Sequence, residues 1–217
     1  MSPRPVRVGI VDSGINARDP QVVAVEGGVG IRVRDGRVER DSSWEDLLGH
    51  VTAVAATDRE HAPSASLVSI RVFHRRLEAH FEAILDAIEW GAEERLDLLN
   101  LSLGCANREK DAAFDSACAR AMERGVAVVS AAGTGDGSAF LAIAADYSLE
   151  GEEIRFEEGR FHASPWARQR GVLPREKNFH GTSFAVAHVT GIAARLLSEG
   201  ERSLREALSR VASGPSR

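Results

Sequence analysis

The chain alternates short β-branched and apolar runs with longer stretches whose apolar residues recur at three- and four-residue steps. "VRVGIVDSG" (6 to 14) reads as a strand closed by a turn, and "SLVSIRVF" (66 to 73) as another strand. Between them, "GHVTAVAATDRE" (49 to 60) is small and apolar enough for a buried helix beginning near His50. From Glu78 to Arg95, the residues Phe81, Ile84, Leu85 and Ile88 mark one helix face. "LDLLNLSLG" (96 to 104) is a continuous apolar strand. A helix follows over Asp111 to Arg124, with Phe114, Cys118, Ala121 and Met122 aligned and Gly125 as its stop. "VAVVSAAG" (126 to 133) is again a strand.

The second half is less regular. "FLAIAA" (140 to 145) predicts a strand, and "EEIRFEEGRFHAS" (152 to 164) a hairpin turning at Glu158-Gly159. Residues 165 to 178 carry Pro165, Gly171 and Pro174 and read as a surface loop. An alanine- and valine-rich buried helix runs from Ser183 to about Ser198, and a last amphipathic helix from near Arg202 to Ala212. Strands apolar on both faces and alternating with helices imply an α/β fold: a doubly wound, mostly parallel sheet with helices on both faces. The 217 residues suit one domain, with a core over about 6–198 and a C-terminal helix and tail over 199–217.

Composition narrows the partners. A formal charge of −5 gives no basic footprint for nucleic acid, and no apolar run reaches the length of a membrane span. Cys105 and Cys118 have neither metal spacing nor a disulfide framework, which suits a reducing compartment. Core-strand residues follow Met1 within five positions, leaving no room for a signal peptide, so the expected location is the cytoplasm.

Candidate chemistry begins with "FHGTSFAVAHVTG" (179 to 191). Gly181 and Thr182 form a turn into a helix, where Ser183 meets orphan amide hydrogens and the positive end of the helix dipole. An anion forming beside its hydroxyl would be stabilised there, although an isolated Gly-Thr-Ser reads first as an ordinary cap. Asp12 closes the first strand and His50 opens a buried helix. In a parallel sheet, function gathers at the carboxyl ends of strands, which is where both residues stand. Alone, Asp12 is a turn aspartate and His50 a core histidine; together with Ser183 they suit nucleophilic catalysis. His188 reads as structural, His180 as surface loop, and His61, His74, His80 and His162 as solvated or structural.

The chain resembles the subtilisin-like serine peptidases. "GIVDSGIN" (9 to 16), "GHVTAVAA" (49 to 56) and "GTSFAVAHVTG" (181 to 191) are similar to the family's aspartate, histidine and serine segments. "APSASLVSIRVF" (62 to 73), "LNLSLG" (99 to 104) and "GVAVVSAAG" (125 to 133) lie between them in the family's order. The resemblance implies that Ser183 attacks a peptide carbonyl, His50 takes and returns the proton, and Asp12 fixes the imidazole tautomer. It also implies an edge at Ser102, Leu103 and Gly104 that pairs with an extended peptide or protein substrate. Ser130, Ala131, Ala132 and Gly133 would then wall the pocket for the residue before the cut.

Departures from the family pattern refine this picture. Thr134 stands where the family has an asparagine that donates to the oxyanion, so Thr134 becomes the tentative donor. Val51 replaces a glycine beside His50, and Ala187 replaces a proline in the serine helix. Asp58 to Ala62 directly joins the histidine helix to the next strand, where relatives insert a calcium loop, so neither metal nor cofactor is implied. Asp35, Asp41, Glu45 and Asp46 read as a solvated acidic loop. The family's secreted members carry a prosegment, whereas this chain opens at its first strand. The expected function is therefore a dedicated intracellular processing peptidase, for example one removing a leader from a precursor peptide. The alternative is a pseudopeptidase that serves as a peptide-binding or scaffold module. A nucleotide-binding domain is disfavoured because "DSGIN" lacks the Gly-x-Gly-x-x-Gly spacing. The apolar "FLAIAA" stretch leaves room for a protein partner.

Overall fold

The computed structural model describes residues 4–22, 24–46, 50–74, 78–103, 108–131, 139–168 and 177–212, with the backbone alone for His50 and Arg108. Among the described residues, nine strands form one sheet: β1 Arg7–Asp12, β2 Val25–Arg34, β3 Arg37–Asp41, β4 Ser66–Arg71, β5 Leu98–Leu101, β6 Ala127–Ala131, β7 Leu141–Ala145, β8 Ile154–Glu157 and β9 Arg160–Ala163. Their order is β3-β2-β4-β1-β5-β6-β7-β9-β8. The strands from β2 across to β9 run parallel, while β3 and β8 pair antiparallel at the two edges. Five α-helices among the described residues cover the sheet: α1 His50–His61, α2 Phe81–Glu93, α3 Asp111–Glu123, α4 Thr182–Ser198 and α5 Leu204–Ala212.

Strand alternation explains why both faces are dry. In β1, Val8 and Ile10 enter the core shared with α1, α4 and α5, while Val11 enters the opposite core with α2 and α3. Leu98 and Leu99 of β5 divide in the same way. This is the doubly wound α/β arrangement expected from the apolar runs. The predicted hairpin is also present, with Glu158 and Gly159 at φ 49° and 80°, the positive pair that a two-residue turn requires.

Three expectations are corrected. The acidic stretch around Asp35 is the β2–β3 hairpin, turning on Asp35-Gly36 at φ 50° and 73°. Its outer strand is fully exposed and charged, which protects the sheet edge from further pairing. "FLAIAA" forms β7 between β6 and β9, so its apolar side chains are covered within this chain. Met122 is 55% exposed, since Phe114, Cys118 and Ala121 already fill the stripe that α3 turns inward.

The packing that matters for the site is α1 on α4. Gly191 of α4 permits it: a Cβ there would stand 2.6 Å from the Asp58 carbonyl oxygen and 2.9 Å from the His61 Cβ. One contact is backbone, so relief requires the helices to separate. Gly191→Ala is expected to cost about 1–3 kcal/mol, seen as a lower urea midpoint at unchanged slope.

Candidate active site

Asp12 is the last residue of β1 and is buried. Its carboxylate Oδ1 accepts the Ser13 amide at 2.8 Å. Its carbonyl accepts the Val72 and Phe73 amides at 2.8 and 3.1 Å, which extends the β1–β4 pairing past the strand ends. Asp46 then joins this corner to α1. It accepts the Ser13 hydroxyl at 3.2 Å and the Thr52 hydroxyl at 2.9 Å, and Thr52 Oγ1 in turn accepts the Asn16 amide at 3.3 Å. Asp46 is therefore no merely solvated acid; it couples the turn after β1 to the first turn of α1. His50 is the first residue of that helix. Its imidazole lies outside the described residues.

Ser183 is half-buried and is the second residue of α4. Gly181 precedes the helix at φ 146°, a conformation that favours glycine, and bends the chain so that the serine leads the helix. The helix begins at Thr182, one residue before the expected start. The Ser183 hydroxyl donates to the Ser102 carbonyl at 3.3 Å. The Ser102 hydroxyl donates to Asn100 Oδ1 at 2.7 Å, and Asn100 Nδ2 donates to Asp58 Oδ2 at 3.4 Å. Asp58 is buried in α1, and among the described residues its Oδ1 has no partner. Burial lifts its carboxyl well above the ordinary value, against the opposing Asn100 hydrogen bond. That shift favours the protonated acid, whose carbonyl oxygen can accept from the Asn100 amide.

The signal for Asp58 was present in the sequence. Val51, Val54, Ala55 and Asp58 follow the i, i+3, i+4, i+7 spacing of one helix face, and all four are buried. Read as part of a connection, the acid at the end of that stripe escaped notice.

Strand register aligns the expected substrate residues. Val11 pairs with Leu101 and Leu101 with Ser130, so Asp12, Ser102 and Ala131 leave neighbouring strands at one level. Leu103 and Ser130 are buried. Gly104, Ala132, Gly133 and Thr134 lie outside the described residues.

Two histidines lock the same helices from behind. His188 Nε2 donates to the Trp166 carbonyl at 2.8 Å, which leaves Nδ1 to accept from His61 Nε2 at 2.6 Å. Burial, then the neighbouring ring, depresses His61 to about 4, and burial lowers His188 as well. Both are neutral, structural imidazoles near pH 7, consistent with the role expected for His188.

Residues 4–150 match the Subtilase family, Peptidase_S8. The chain belongs to the subtilase family. Its enzyme class is that of a serine endopeptidase. The matched stretch contains Asp12 and His50 and ends before Ser183. Subtilisin DY of Bacillus licheniformis is 27% identical over 219 residues, covering 89% of this chain and 77% of that protein. The major intracellular serine protease of Bacillus subtilis (strain 168) is 28% identical over 233 residues, covering 94% and 72%. Subtilisin E of the same strain is 26% identical over 226 residues; there the match takes in 89% of this chain but 56% of the relative, little more than half its length. A crystal structure of a cold adapted subtilisin-like serine proteinase superposes with a TM-score of 0.71 over 95% of this chain and 81% of that one. At 21% identity, that likeness concerns the fold. Among the described residues, no helix is long and apolar enough to cross a membrane.

Proposed function

We propose that this subtilase hydrolyses peptide bonds through Asp12, His50 and Ser183. The observation that carries the reading is Ser183 in the first turn of α4, bonded to Ser102 at the carboxyl end of β5, one strand from Asp12. In the reaction, Ser183 Oγ attacks the scissile carbonyl while His50 accepts the hydroxyl proton. The imidazolium, held by Asp12, gives that proton to the leaving amine. Water then repeats the sequence on the acyl-enzyme. The tetrahedral oxyanion would meet the Ser183 amide, with the Thr134 hydroxyl as second donor. The substrate lies extended along Ser102, Leu103 and Gly104, with the wall from Ser130 to Gly133 beside the residue before the cut.

The finer role proposed is a processing enzyme inside the cell, of the kind that removes a leader from a precursor peptide. The similarity to a protease named as intracellular supports that location. Thr134 at the expected oxyanion position favours a slower, more selective enzyme over a degradative one. A fluorophosphonate probe tests the chemistry: labelling of the wild type that disappears in Ser183→Ala is expected. A folded wild type that never labels would instead indicate a peptide-binding module. Rapid digestion of casein without sequence preference would overturn the processing role while leaving the triad intact.

A further inference from the structure

On the far side of β4 from β1, a cleft of about 630 Å³ opens over β2 and the start of α2. Arg71, the last residue of β4, is only 6% exposed there. Its guanidinium donates to the carbonyls of Phe73, Ser43 and His74, each at 3.3 Å. Those three bonds use one hydrogen each on Nε, Nη1 and Nη2, leaving one donor on each Nη. Among the described residues no carboxylate pairs with Arg71. A buried guanidinium satisfied only by long bonds to neutral carbonyls is an expensive arrangement unless an anion completes it.

Neighbouring groups sharpen the point. Arg32 reaches the same residue, donating from Nη2 to Ser43 Oγ at 3.2 Å, so two guanidiniums converge on Ser43. Arg32 also pairs with Asp41, yet among the described residues its buried Nε has no partner. His74 donates from Nε2 to the Ile31 carbonyl at 2.9 Å, and His80 is exposed on the rim. Burial, then Arg32, lowers the Arg71 guanidinium against the charge of Asp46; burial, then Arg71 and Arg32, lowers His74 against its hydrogen bond to Ile31. Of the acids nearby, Asp41 is held by Arg32 and Ser43, Glu78 is an exposed rim residue, and Asp46, bound to Ser13 and Thr52, offsets part of the Arg71 charge. Val33, Val72 and Ala83 supply apolar walls. A carboxylate on a short methylene stem matches this combination of fork and wall.

We propose that this cleft is a carboxylate subsite that takes an acidic side chain of the peptide substrate. The inference rests on the peptidase reading above. Val72 and Phe73 donate to the carbonyl of Asp12, so the cleft wall is fixed to the same strand end as the proposed triad. Two strand spacings separate β4 from β5, roughly 10 Å, a span that an extended peptide covers in about three residues. The acid would therefore sit at one fixed offset, a few residues from the cut.

Two measurements test it separately from catalysis. The first compares kcat/KM for peptides, chosen from a cleaved random library, that differ only by Glu or Gln at the candidate offset. The acid is expected to be preferred about tenfold or more. That preference should collapse in Arg71→Gln and in the less buried Arg32→Gln, so a folding defect in one variant does not decide the result. The second follows amide shifts of the Ser183→Ala protein titrated with N-acetylglutamate amide, N-acetylglutamine amide or inorganic phosphate. Shifts at Val72 and His74 with the glutamate compound alone, lost in Arg71→Gln, support the subsite. Response to phosphate but not to glutamate overturns the peptide source. Peptides cleaved with no acidic preference, together with no glutamate response, overturn the proposal. Glutamate binding by a protein that cleaves no peptide removes the peptidase reading and leaves the carboxylate site standing.

Discussion

With alanine in place of Ser183, kcat for peptide hydrolysis is expected to fall about 10⁶-fold, the scale seen when a triad serine is lost from a subtilisin. The reason is differential: the hydroxyl is needed only where a bond forms, while the substrate contacts proposed along Ser102 and Leu103 would stay in place. KM should therefore move little. His50→Ala should cost about as much, and the double variant little more than either single change, because serine and histidine act as one unit. Asp12→Asn should retain more activity, losing about 10⁴-fold, since it disturbs the tautomer of the base and leaves the nucleophile present. Steady-state kinetics on one cleaved peptide checks all four proteins. Losses that multiply in the double variant would mean that Ser183 and His50 do not share a step. A fall of less than about tenfold in Ser183→Ala would place the nucleophile elsewhere.

Much of this architecture is visible in periodicity because each strand and helix buries a stripe that recurs at its own step. The apolar runs at β1, β4, β5 and β6 are dry on both faces, which is what a covered parallel sheet requires. Glu158-Gly159 is legible as a turn between alternating segments, and Asp35-Gly36 carries the same signal with Ile31, Val33 and Val38 around it. The charges of Arg37, Glu39 and Arg40 disguised that second hairpin, because an edge strand keeps its face polar for solubility. The site was legible differently. Asp12, His50 and Ser183 each look ordinary alone and stand out only through the order of the segments that hold them. Asp46 and Asp58 act through contacts made by other segments, Asp46 with Ser13 and Thr52, and Asp58 with Asn100 beneath a helix that Gly191 lets close in. No local pattern encodes where a second helix will lie. Arg71 belongs to the same group: as one polar residue in "SLVSIRVF" it looks like a strand end, and its meaning comes from Arg32 and Ser43 across the sheet.

Asp58→Asn is expected to stabilise the protein, and the gain should grow with pH. Burial raises the Asp58 carboxyl, so the folded chain keeps a proton that the unfolded chain releases above about 3.8. The stability tied to this acid is complete below that value and drains away as pH rises towards the folded one, at about 1.4 kcal/mol per pH unit. His61 and His188 work in the opposite sense. Their depressed values mean that the unfolded chain binds protons below about 6.5 that the folded chain refuses, down to about 4 for His61. The histidines therefore weaken the fold as pH falls below about 6.5, and Asp58 weakens it as pH rises above about 3.8. Asparagine has the shape of the protonated acid, can accept from Asn100 Nδ2 through its own oxygen, and does not ionise. The variant should lose the alkaline decline and keep the acid one. Urea midpoints for both proteins at pH 5, 6.5 and 8 check this, with the difference expected to widen at each step. A constant difference would mean that the folded protein carries Asp58 ionised. Activity depends on a polar group at this position. Asp58 orients Asn100, Asn100 accepts from Ser102, and the Ser102 carbonyl meets the Ser183 hydroxyl. Asp58→Asn preserves that chain and should leave kcat near wild type. Asp58→Leu should lower kcat even though it removes the buried acid, because Asn100 then has nothing to hold its amide in place.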